Sequence, residues 1–599
     1  MVCRLIKAPE EYVDRSFQEI LAGFLSSDKN VMILEAPTGA GKTTAFSRLF
    51  NDRFKTIVVM PNNVLIDQNY TAFSSTIPGV SEITGSSLQE EMNKYNQKKD
   101  VLISKIIGQS SIIFTNPTLL FYILLNFYKI PHSRSDQVSD LVLEGVRCVV
   151  LDEFHVYSID QKYRLIALLS LFRKKIKFII SSATLDEGLV ALLKNILNEN
   201  ELQIVEVQKS GRDLIRGPVE YDLHSETALD VIREHIKDLK DGKWFLILDS
   251  IRECHEVKDL MCSNGINGQD ICLLNRLDLS KYESKDTALK DCFEHRIVIA
   301  SNIVEQGYNP PKEFTNFIID RGYYGHNLRQ RAGRIGRGIN FTSRLIISIG
   351  DPALISRVWS RIESGENLIE RLSEEIGEQH GVMKPYIVGV YAGFLNEFFT
   401  PDARRILLSE AVKTQKSEYI SGMKRVISIF EALSKLNLTD IPKNCDGLQY
   451  FVKWFNDYKE TFRHFIGDRE DATFLMEEDN SEDQKIEQFN YDAIWLIQNT
   501  DYTNVDGIIK VNGFKNKPDN NFDIYVVGFP YVTEGTKKVR ISFTRLYHRE
   551  KQEIEKRLNN CIEEYLKFCP LLDYDTAKEL KNIVSLTAYP ERLKLLVEI

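Results

Sequence analysis

One octapeptide sets the architecture of the first part of the chain: Ala36-Pro37-Thr38-Gly39-Ala40-Gly41-Lys42-Thr43. An apolar run at 31–35 precedes it, which predicts a buried strand, and an amphipathic segment follows it, which predicts a helix. A glycine-rich turn between a strand and a helix exposes backbone N–H groups to an anion at the helix N-terminus. The octapeptide therefore predicts a phosphate-binding loop in an α/β domain.

This loop offers the side chains that a nucleotide site needs. Lys42 would reach the β- and γ-phosphates of ATP, and Thr43 would bind the accompanying Mg²⁺. The glycine core matches the P-loop pattern, with Ala36 where that pattern has its first glycine. The remaining residues of the predicted ATP site are Pro37, Thr38, Gly39, Ala40, Gly41 and Thr44.

A pair of carboxylates supplies the second half of the predicted site. The apolar run at 146–151 predicts a strand, and Asp152-Glu153-Phe154-His155 follows it directly. Functional side chains of parallel sheets stand at the carboxyl ends of the strands. Asp152 would hold Mg²⁺, and Glu153 would orient and deprotonate the attacking water. The alternative is a strand end that happens to be acidic, which the phosphate-binding loop upstream disfavours.

A basic octapeptide lies far from both elements: Gln330-Arg331-Ala332-Gly333-Arg334-Ile335-Gly336-Arg337. Its arginines are three residues apart on a turn loosened by two glycines, so they could reach a nucleotide held by another domain. Arg334 and Arg337 would contact the γ-phosphate, an effect worth ~10³–10⁵ in rate for NTPases, and Gln330 would help to align the site. A solvated charged turn is the alternative.

These stretches resemble the motifs of the superfamily 2 helicases and translocases. The phosphate-binding loop resembles motif I, Asp152–His155 resembles the DExH form of motif II, and 330–337 resembles motif VI. The resemblance implies two RecA-like domains whose cleft closes and opens as ATP is bound and hydrolysed. The catalytic residues that it implies are Lys42, Asp152, Glu153, Gln330, Arg334 and Arg337.

The resemblance also implies residues that couple ATP to the rest of the protein. His155 would connect the ATP site to the domain interface. Ser182 and Thr184, in a Ser-Ala-Thr stretch at the end of a predicted strand, resemble motif III. Gln18, close to Arg15, resembles the Q motif that reads adenine; an exposed glutamine on an ordinary helix is the alternative.

Several polar loops resemble the strand-contacting motifs Ia, Ic, IV and V of the same superfamily. Such residues at helix N-termini hold phosphates through hydroxyl and backbone N–H groups, largely without regard to base sequence. In motif V, Ser301 stands where the family has threonine, and Asn309 where it frequently has aspartate. The implied nucleic-acid contacts are Pro61, Asn62, Thr115, Asn116, Pro117, Ser250, Arg252, Ser301 and Asn302.

The composition fits an ordinary globular protein, with 43% hydrophobic and 27% charged residues. The net charge of −9 excludes a wholly basic surface but leaves room for a basic channel. We find no run of 18 apolar residues and no signal peptide, so we expect a cytoplasmic protein that spans no membrane. The nine cysteines form no CxxC pair, which argues against common zinc or iron–sulfur patterns and against a disulfide framework.

The pattern along the chain predicts an α/β fold of two tandem RecA-like domains followed by an α-rich C-terminal domain with a small β element. We place the first domain at 1–210, the second at 211–350 and the accessory domain at 351–599. The first parallel sheet is predicted from strands at 31–35, 56–60, 111–114, 146–151 and 177–181, and the second from strands at 244–249, 271–274, 296–300, 316–320 and 343–348. Predicted helices follow at 356–380, 385–399, 402–414 and 417–436, then a strand near 539–544 and a helix from 549.

The DEFH motif and the helical C-terminal region resemble the CRISPR-associated signature helicases of type I systems. Many of those carry an HD nuclease, yet none of the ten histidines here is followed by aspartate. The resemblance therefore implies a helicase-only, type I-D-like form that is recruited to a surveillance complex, relies on a nuclease subunit in trans and unwinds DNA 3′→5′. We expect the protein to be a monomer when free.

Two other functions remain open from the sequence. One is a DExH helicase that acts on RNA or in DNA repair. The other is a remodelling switch that hydrolyses ATP without processive unwinding. A preference for deoxyribose over ribose strands in stimulated ATP hydrolysis would separate the first from our interpretation, and ATP-dependent strand displacement would exclude the second.

Overall fold

The computed structural model gives the fold over most of the first 433 residues and over parts of the remainder. The described residues are 5–8, 11–13, 15–37, 40–49, 55–125, 142, 144–157, 159–183, 187–207, 213–275, 278, 285–301, 310–335, 342–359, 368–377, 384–399, 404–405, 407–409, 417–433, 471–477, 486–492, 500–505, 508–514, 531–533, 536–538 and 572–573. Among the helices of this part, none combines the length and apolar character that crossing a bilayer requires.

The strands are, in chain order, β1 (Leu5–Ala8), β2 (Glu11–Val13), β3 (Val31–Glu35), β4 (Lys55–Val59), β5 (Val80–Ile83), β6 (Ile112–Thr115), β7 (Val146–Leu151), β8 (Lys177–Ser182), β9 (Leu202–Glu206), β10 (Asp213–Arg216), β11 (Val219–His224), β12 (Trp244–Ile247), β13 (Ile271–Leu274), β14 (Ile297–Ala300), β15 (Asn316–Asp320), β16 (Ser343–Ser348), β17 (Asp471–Glu477), β18 (Ile486–Asp492), β19 (Thr500–Val505), β20 (Ile508–Phe514), β21 (Tyr531–Thr533), β22 (Thr536–Lys538) and β23 (Leu572–Asp573). The helices include α1 (Phe17–Phe24), α2 (Lys42–Ala45), α3 (Asn63–Ser74), α4 (Gly85–Tyr95), α5 (Lys99–Gln109), α6 (Pro117–Leu124), α7 (Ile159–Phe172), α8 (Glu187–Ile196), α9 (Ala228–Glu234), α10 (Ile251–Ser263), α11 (Lys285–Glu294), α12 (Gly325–Ala332), α13 (Pro352–Trp359), α14 (Leu368–Ile376), α15 (Pro385–Asn396) and α16 (Ser417–Leu433).

Seven parallel strands form the first sheet, in the order β5-β6-β4-β7-β8-β3-β9. The five strands predicted for this sheet are present, each within one residue of its predicted bounds. Their side chains are buried on both faces because helices cover the sheet on both sides. The two edge strands, β5 and β9, were not predicted, since their apolar residues are interrupted by polar, partly exposed ones.

The second sheet has the order β1-β11-β16-β15-β12-β14-β13 and is parallel except at β1. All five strands predicted for it are present. The N-terminal strand β1 pairs antiparallel with β11, with Leu5 opposite Asp222. Residues 5–8, which fall within the predicted first domain, therefore extend the second sheet. The predicted α/β class with two successive parallel sheets is confirmed.

The helices after residue 350 divide between the two sheets. Helices α13 and α14 bury Leu354 and Leu372 in the core of the second sheet. Helices α15 and α16 instead pack on α7 of the first sheet, where Tyr391 stacks on Tyr163 with ring centroids 5.8 Å apart. The described helices of 352–433 therefore pack on the two sheets. The division of the chain at 210 and 350 stays a prediction.

Helices α15 and α16 approach each other closely because glycines line their contact. A Cβ atom on Gly393 would lie 2.8 Å from Cβ of Val426 and 2.9 Å from the carbonyl oxygen of Met423. On α16, Val426 and Phe430 are buried, Ile427 is partly buried, and the side chains of Ile429 and Leu433 lie outside the described residues.

The C-terminal part contains more strand than we predicted. Strands β17 to β20 form a four-stranded sheet, and β21 to β23 form a three-stranded one. The predicted strand at 539–544 and the predicted helix from 549 lie outside the described residues. Two cysteines also differ from expectation: Cys272 in β13 and Cys292 in α11 form a disulfide, because the helix packs on the strand and brings their Cα atoms to 5.2 Å.

Candidate active site

The phosphate-binding loop connects β3 to α2, as predicted. Gly41 caps α2 with a left-handed backbone, at φ +86°, a conformation that glycine adopts without steric cost. Of the other loop residues the structure describes Ala36, Pro37 and Ala40, whereas Thr38 and Gly39 lie outside the described residues. The described part thus has the strand–turn–helix form that presents backbone N–H groups to phosphate.

Lys42 connects the loop to the acidic element. Its side chain is buried, and Nζ donates hydrogen bonds to the carbonyl oxygen of Ala36 at 3.0 Å and to Oε2 of Glu153 at 3.4 Å. The structure therefore brings together two residues that are 111 positions apart in the sequence and that we assigned to one site. A buried ammonium next to a carboxylate stands ready for an anionic ligand.

Asp152 and Thr43 lie on the same side of this site. Thr43 Oγ1 is within 3.5 Å of Oδ2 of Asp152. Asp152 is only 2% exposed, and its Oδ1 atom is buried without a hydrogen-bond partner. Burial and the neighbouring Glu153 raise the pKa of Asp152 to about 7. A hydroxyl beside a buried carboxylate oxygen fits Mg²⁺, which takes oxygen ligands and would favour the ionised carboxylate.

Glu153 has an unusual backbone for its residue type. It follows β7 in the left-handed region, at φ +49°, which costs an L-residue about 1–2 kcal/mol. Its side chain keeps 19% of its surface exposed while Asp152 is buried. The turn thus directs the two adjacent carboxylates into different environments, one enclosed and one open to solvent, as separate metal-binding and water-activating roles require.

His155 connects this element to β8. Its Nδ1 atom is 3.1 Å from Oγ of Ser182 and accepts a hydrogen bond from the backbone N–H of Ala183 at 3.4 Å. Burial lowers the pKa of His155 to about 3, so the ring is neutral at physiological pH and carries its proton on Nε2. Two of the three residues that we assigned to coupling, His155 and Ser182, are therefore in contact, and their coupling role stays a prediction. Thr184 lies outside the described residues.

Gln18 and Arg15 lie beside the phosphate-binding loop. A Cβ atom on Gly41 would be 3.7 Å from Nε2 of Gln18 and 4.0 Å from Nε of Arg15. This position agrees with a contact to a bound nucleotide, and the adenine-reading role of Gln18 stays a prediction.

The basic octapeptide begins within α12 of the second sheet. Gln330 is buried, Arg334 is partly buried just beyond the helix, and Arg337 lies outside the described residues. The same helix carries His326, whose charge adds to burial in lowering the pKa of His155. Helix α12 therefore lies close enough to the acidic element of the first sheet for electrostatic contact, which places the second domain beside the nucleotide site.

Three helices of the first sheet begin side by side at its carboxyl edge. Asn62 caps α3 by accepting the N–H of Leu65 at 2.9 Å, and Asn116 caps α6 by accepting the N–H of Leu119 at 2.9 Å. Thr84 caps α4 in the same manner. Because β5, β6 and β4 are neighbours in the sheet, the three helix N-termini form a row of partial positive charge.

Residues 14–192 match the family model of the DEAD/DEAH box helicases. This part of the chain is a DEAD/DEAH box helicase domain. The matched range contains the phosphate-binding loop, the acidic element, Ser182 and Gln18, and it ends before β11, where the chain returns to the second sheet.

The fold of the whole chain is similar to that of solved helicases. It aligns with DUF1998 helicase MrfA bound to DNA at a TM-score of 0.52 and 12% identity, covering 91% of this chain and 80% of that chain. For MrfA bound to DNA and AMPPNP the TM-score is 0.51, with 13% identity and coverage of 91% and 82%. Dbp5 of S. cerevisiae bound to RNA and ADP BeF3 gives a TM-score of 0.42, 16% identity and coverage of 62% and 88%.

No curated protein matches the chain in sequence. The likeness to MrfA confirms the predicted tandem RecA-like fold. The match of residues 14–192 to the DEAD/DEAH box helicase model bears out the prediction of an ATP-dependent helicase-type enzyme.

Some of the predicted nucleic-acid contacts in the helicase domain form hydrogen bonds within the protein. The hydroxyl of Thr115 is buried and donates to the carbonyl oxygen of Ile83 at 2.8 Å. The end of β6 thus uses the proton of this hydroxyl to hold β5, and the contact of Thr115 with a strand of nucleic acid stays a prediction. Asn116 Nδ2 donates to Oδ1 of Asn63 at 3.0 Å, and Pro117 is the first residue of α6.

The residues assigned beyond the helicase domain also have protein partners. Ser250 caps α10 by accepting the N–H of Glu253 at 3.1 Å, and Arg252 donates to Glu256 at 2.8 Å. Ser301 is buried, and Asn302 lies outside the described residues. These partners leave the contacts of Ser250, Arg252, Ser301 and Asn302 with nucleic acid as predictions.

Arg331 is a structural residue that the sequence did not reveal. It is 1% exposed, and its Nη1 donates to Oδ1 of Asp249 at 2.6 Å and to the carbonyl oxygen of Asp320 at 2.9 Å. It thereby fixes α12 to the carboxyl ends of β12 and β15. The spacing of the octapeptide could not distinguish this inward arginine from Arg334, because both stand in the same basic run.

Proposed function

We propose that this protein is an ATP-driven motor that moves along a single strand of nucleic acid, with DNA favoured over RNA. The observation that carries the proposal is the cluster of Lys42, Glu153, Asp152 and Thr43 at the edge of the first sheet, with α12 of the second sheet nearby. A nucleotide bound there would lie between the domains of the first and second sheets, so its binding and hydrolysis would change the distance between them.

The residues of this cluster divide the work of ATP hydrolysis. Lys42 leaves Glu153 for the β- and γ-phosphates when the nucleotide binds, which frees the carboxylate to accept a proton from the attacking water. Thr43 and Asp152 would hold Mg²⁺, and the charge of the ion would offset that of the phosphates. Arg334 and Arg337 would approach the γ-phosphate from the second domain and stabilise the charge of the transition state.

The contact between His155 and Ser182 suits a coupling element. Nδ1 of the neutral ring accepts the backbone N–H of Ala183, directly after β8, which leaves the ring proton on Nε2. A change in the charge or position of Glu153 when ATP is hydrolysed would alter its electrostatic interaction with the ring of His155. Because His326 of α12 also interacts with this ring, the change would reach the second domain. The two domains would then open and close once per nucleotide.

The row of helix N-termini at α3, α4 and α6 suits the phosphates of a strand. Partial positive charge and backbone N–H groups bind phosphate without reading bases. Asn62, Asn116 and Pro117 stand at this row. The structural likeness to MrfA, which was solved bound to DNA, favours DNA as the strand.

ATP hydrolysis with matched strands tests the substrate class. We expect single-stranded DNA to stimulate hydrolysis more than an RNA strand of the same sequence and length. Equal or greater stimulation by RNA would contradict the preference and favour an RNA helicase. A duplex with a 3′ overhang, when compared with a 5′ overhang, reports the polarity, and failure of ATP to displace either strand would favour the remodelling switch.

We further propose the helicase-only role in CRISPR type I interference. Its support is the DEFH motif and the absence of a His-Asp dipeptide from the whole sequence. The protein would then bind a DNA-loaded surveillance complex and supply single strands to a separate nuclease subunit. Co-purification of the tagged protein with such a complex from its native cells tests this role, and its recovery with RNA-processing or repair proteins instead would contradict it.

A further inference from the structure

Two histidines and an aspartate come together where β11 of the second sheet meets the end of helix α9. Asp222 and His224 are two residues apart on β11, so their side chains share one face of the sheet. Helix α9 follows β11 and returns across that face, and His235 stands directly after the last residue of the helix. A strand and the helix that follows it thus supply three ligand-type side chains.

The distances between these side chains are those of a metal site. Nε2 of His235 is 3.5 Å from Nε2 of His224, which is 3.4 Å from Oδ1 of Asp222. The three ligand atoms all lie within 4.8 Å of one another. Ligands at about 2.0–2.1 Å from a tetrahedral zinc ion are about 3.3–3.4 Å apart. Two of the three separations are therefore already close to tetrahedral spacing.

The outer ring nitrogens of both histidines face carboxylates. Nδ1 of His235 is 3.0 Å from Oδ2 of Asp238, and Nδ1 of His224 is 3.7 Å from Oε2 of Glu234. Histidines that bind metals nearly always donate their other N–H to a carboxylate or carbonyl, which fixes the ring and the tautomer. Here that arrangement directs both Nε2 atoms toward the same point.

Arg344 on β16 orients the remaining acidic groups. Its guanidinium lies 3.8 Å from Oδ2 of Asp222 and 3.4 Å from Oδ2 of Asp238. It contacts the Oδ2 atom of Asp222, whereas His224 contacts Oδ1, and it balances part of the negative charge. His224 is 1% exposed, so the group is shielded from water on the sheet side.

We propose that Asp222, His224 and His235 bind a divalent transition-metal ion, of which zinc fits best. Two imidazoles and one carboxylate suit zinc and disfavour Ca²⁺ and Mg²⁺, which take oxygen ligands. Three protein ligands leave a fourth position for water. The ion would fix the end of α9 to β11, the strand that also carries β1 at the N-terminus, and so stabilise the second domain.

Zinc titration of the full-length protein tests this site. The protein is first stripped with a chelator and then titrated with Zn²⁺ in competition with a chromogenic zinc indicator. We expect one zinc ion per chain, and we expect Co²⁺ bound in its place to show the intense visible absorption of a tetrahedral site. His235→Ala should weaken zinc binding by more than about 100-fold, since outer carboxylate partners alone are worth about 10- to 100-fold.

Two further variants keep the result interpretable. Asp238→Asn retains all three ligands and should weaken binding by about 10- to 100-fold. His255→Ala is a matched control, because its Nε2 also pairs with a carboxylate, Oδ2 of Asp278 at 3.1 Å, without belonging to the cluster. It should leave zinc binding unchanged. Absence of stoichiometric zinc in the wild type, or equal affinity in His235→Ala, would overturn the proposal; the latter would place the ion elsewhere, for example on cysteines.

Discussion

Lys42 contacts the same glutamate that we expect to activate water. The ammonium donates to the carbonyl oxygen of Ala36 and to the carboxylate of Glu153, and the phosphates of a nucleotide would compete with Glu153 for this cation. We therefore expect nucleotide binding to weaken the ion pair between Lys42 and Glu153. The carboxylate would then be available as a base when ATP is bound.

Replacement of Arg331 should destabilise the second domain. Arg331→Met keeps most of the volume of the side chain but leaves Asp249 unpaired beside Asp320, whose pKa burial already raises to about 7. Breaking a buried pair in this manner costs about 3–5 kcal/mol. Denaturant unfolding should show a lower midpoint for the second domain.

The double variant Arg331→Met/Asp249→Asn serves as the control for this prediction. Removing the second charge should restore part of the lost free energy of unfolding. An unchanged midpoint in the single variant would show that the pair does not stabilise the domain.

Glu82 should make the stability of the first domain depend on pH. Burial and the nearby Asp67 raise the pKa of Glu82 from 4.5 to about 7. Because the folded-state pKa lies above the unfolded value, the folded protein holds the proton more tightly and loses stability as pH rises from about 4.5 through about 7. Glu82→Gln should therefore raise the melting temperature at pH 8 and change it little at pH 5.

The exposed Glu199 offers a comparison for this prediction. Glu199→Gln should shift the melting temperature equally at both pH values. A pH-independent effect of Glu82→Gln, matching that of Glu199→Gln, would contradict the role of the buried carboxyl group.

Single residues were predictable where a local pattern defines them. Lys42, Asp152 and Glu153 stand in short motifs whose chemistry depends on their order along the chain, and the structure brings all three together. The burial of Arg331 and of the Thr115 hydroxyl depends instead on strands from other parts of the chain. No local pattern encodes such partners, so the sequence could not reveal them.

At the scale of elements, the glycine contact between α15 and α16 should limit substitution. Gly393→Ala would place a methyl group 2.8 Å from Cβ of Val426, too close for carbon atoms. Overpacking of this kind costs about 1–3 kcal/mol. Gly393→Ala should therefore lower the free energy of unfolding and make the two helices more accessible to protease.

Gly108 provides the matched control for this prediction, since it lies in helix α5 with no neighbouring atom within 4 Å of its Cβ position. Gly108→Ala should raise stability by about 0.5–1 kcal/mol. Equal effects of the two substitutions would contradict close packing of α15 on α16.

Elements were predictable when they are buried on both sides. The central strands read as continuous apolar runs, because helices cover both faces of the sheets. The edge strands β5 and β9 carry polar residues, and β1 pairs with a strand more than 200 residues away. The C-terminal strands β17 to β20 pair largely with one another, yet their mixed polarity gave no clear alternation. Pairing of this kind is decided by tertiary partners and not by local pattern.

At the scale of the whole molecule, the chain passes between the two sheets three times. β1 belongs to the second sheet, the following segment builds the first, and the chain returns to the second at β11. It then returns to the first sheet with α15 and α16. Multiple connections favour hinge-like closure of the cleft over independent movement of the domains. The proposed metal ion would fix α9 to β11, the strand that receives the second of these connections.

ATP hydrolysis at the cluster of Lys42, Asp152 and Glu153 should respond to a strand of nucleic acid. ATP hydrolysis by the wild type and by Glu153→Gln, with and without single-stranded DNA, tests this claim directly. We expect the strand to accelerate hydrolysis by the wild type, and the variant to bind ATP but lose turnover by at least about 100-fold, because an amide cannot accept the proton. Wild-type turnover in Glu153→Gln, or hydrolysis indifferent to any strand, would contradict the account.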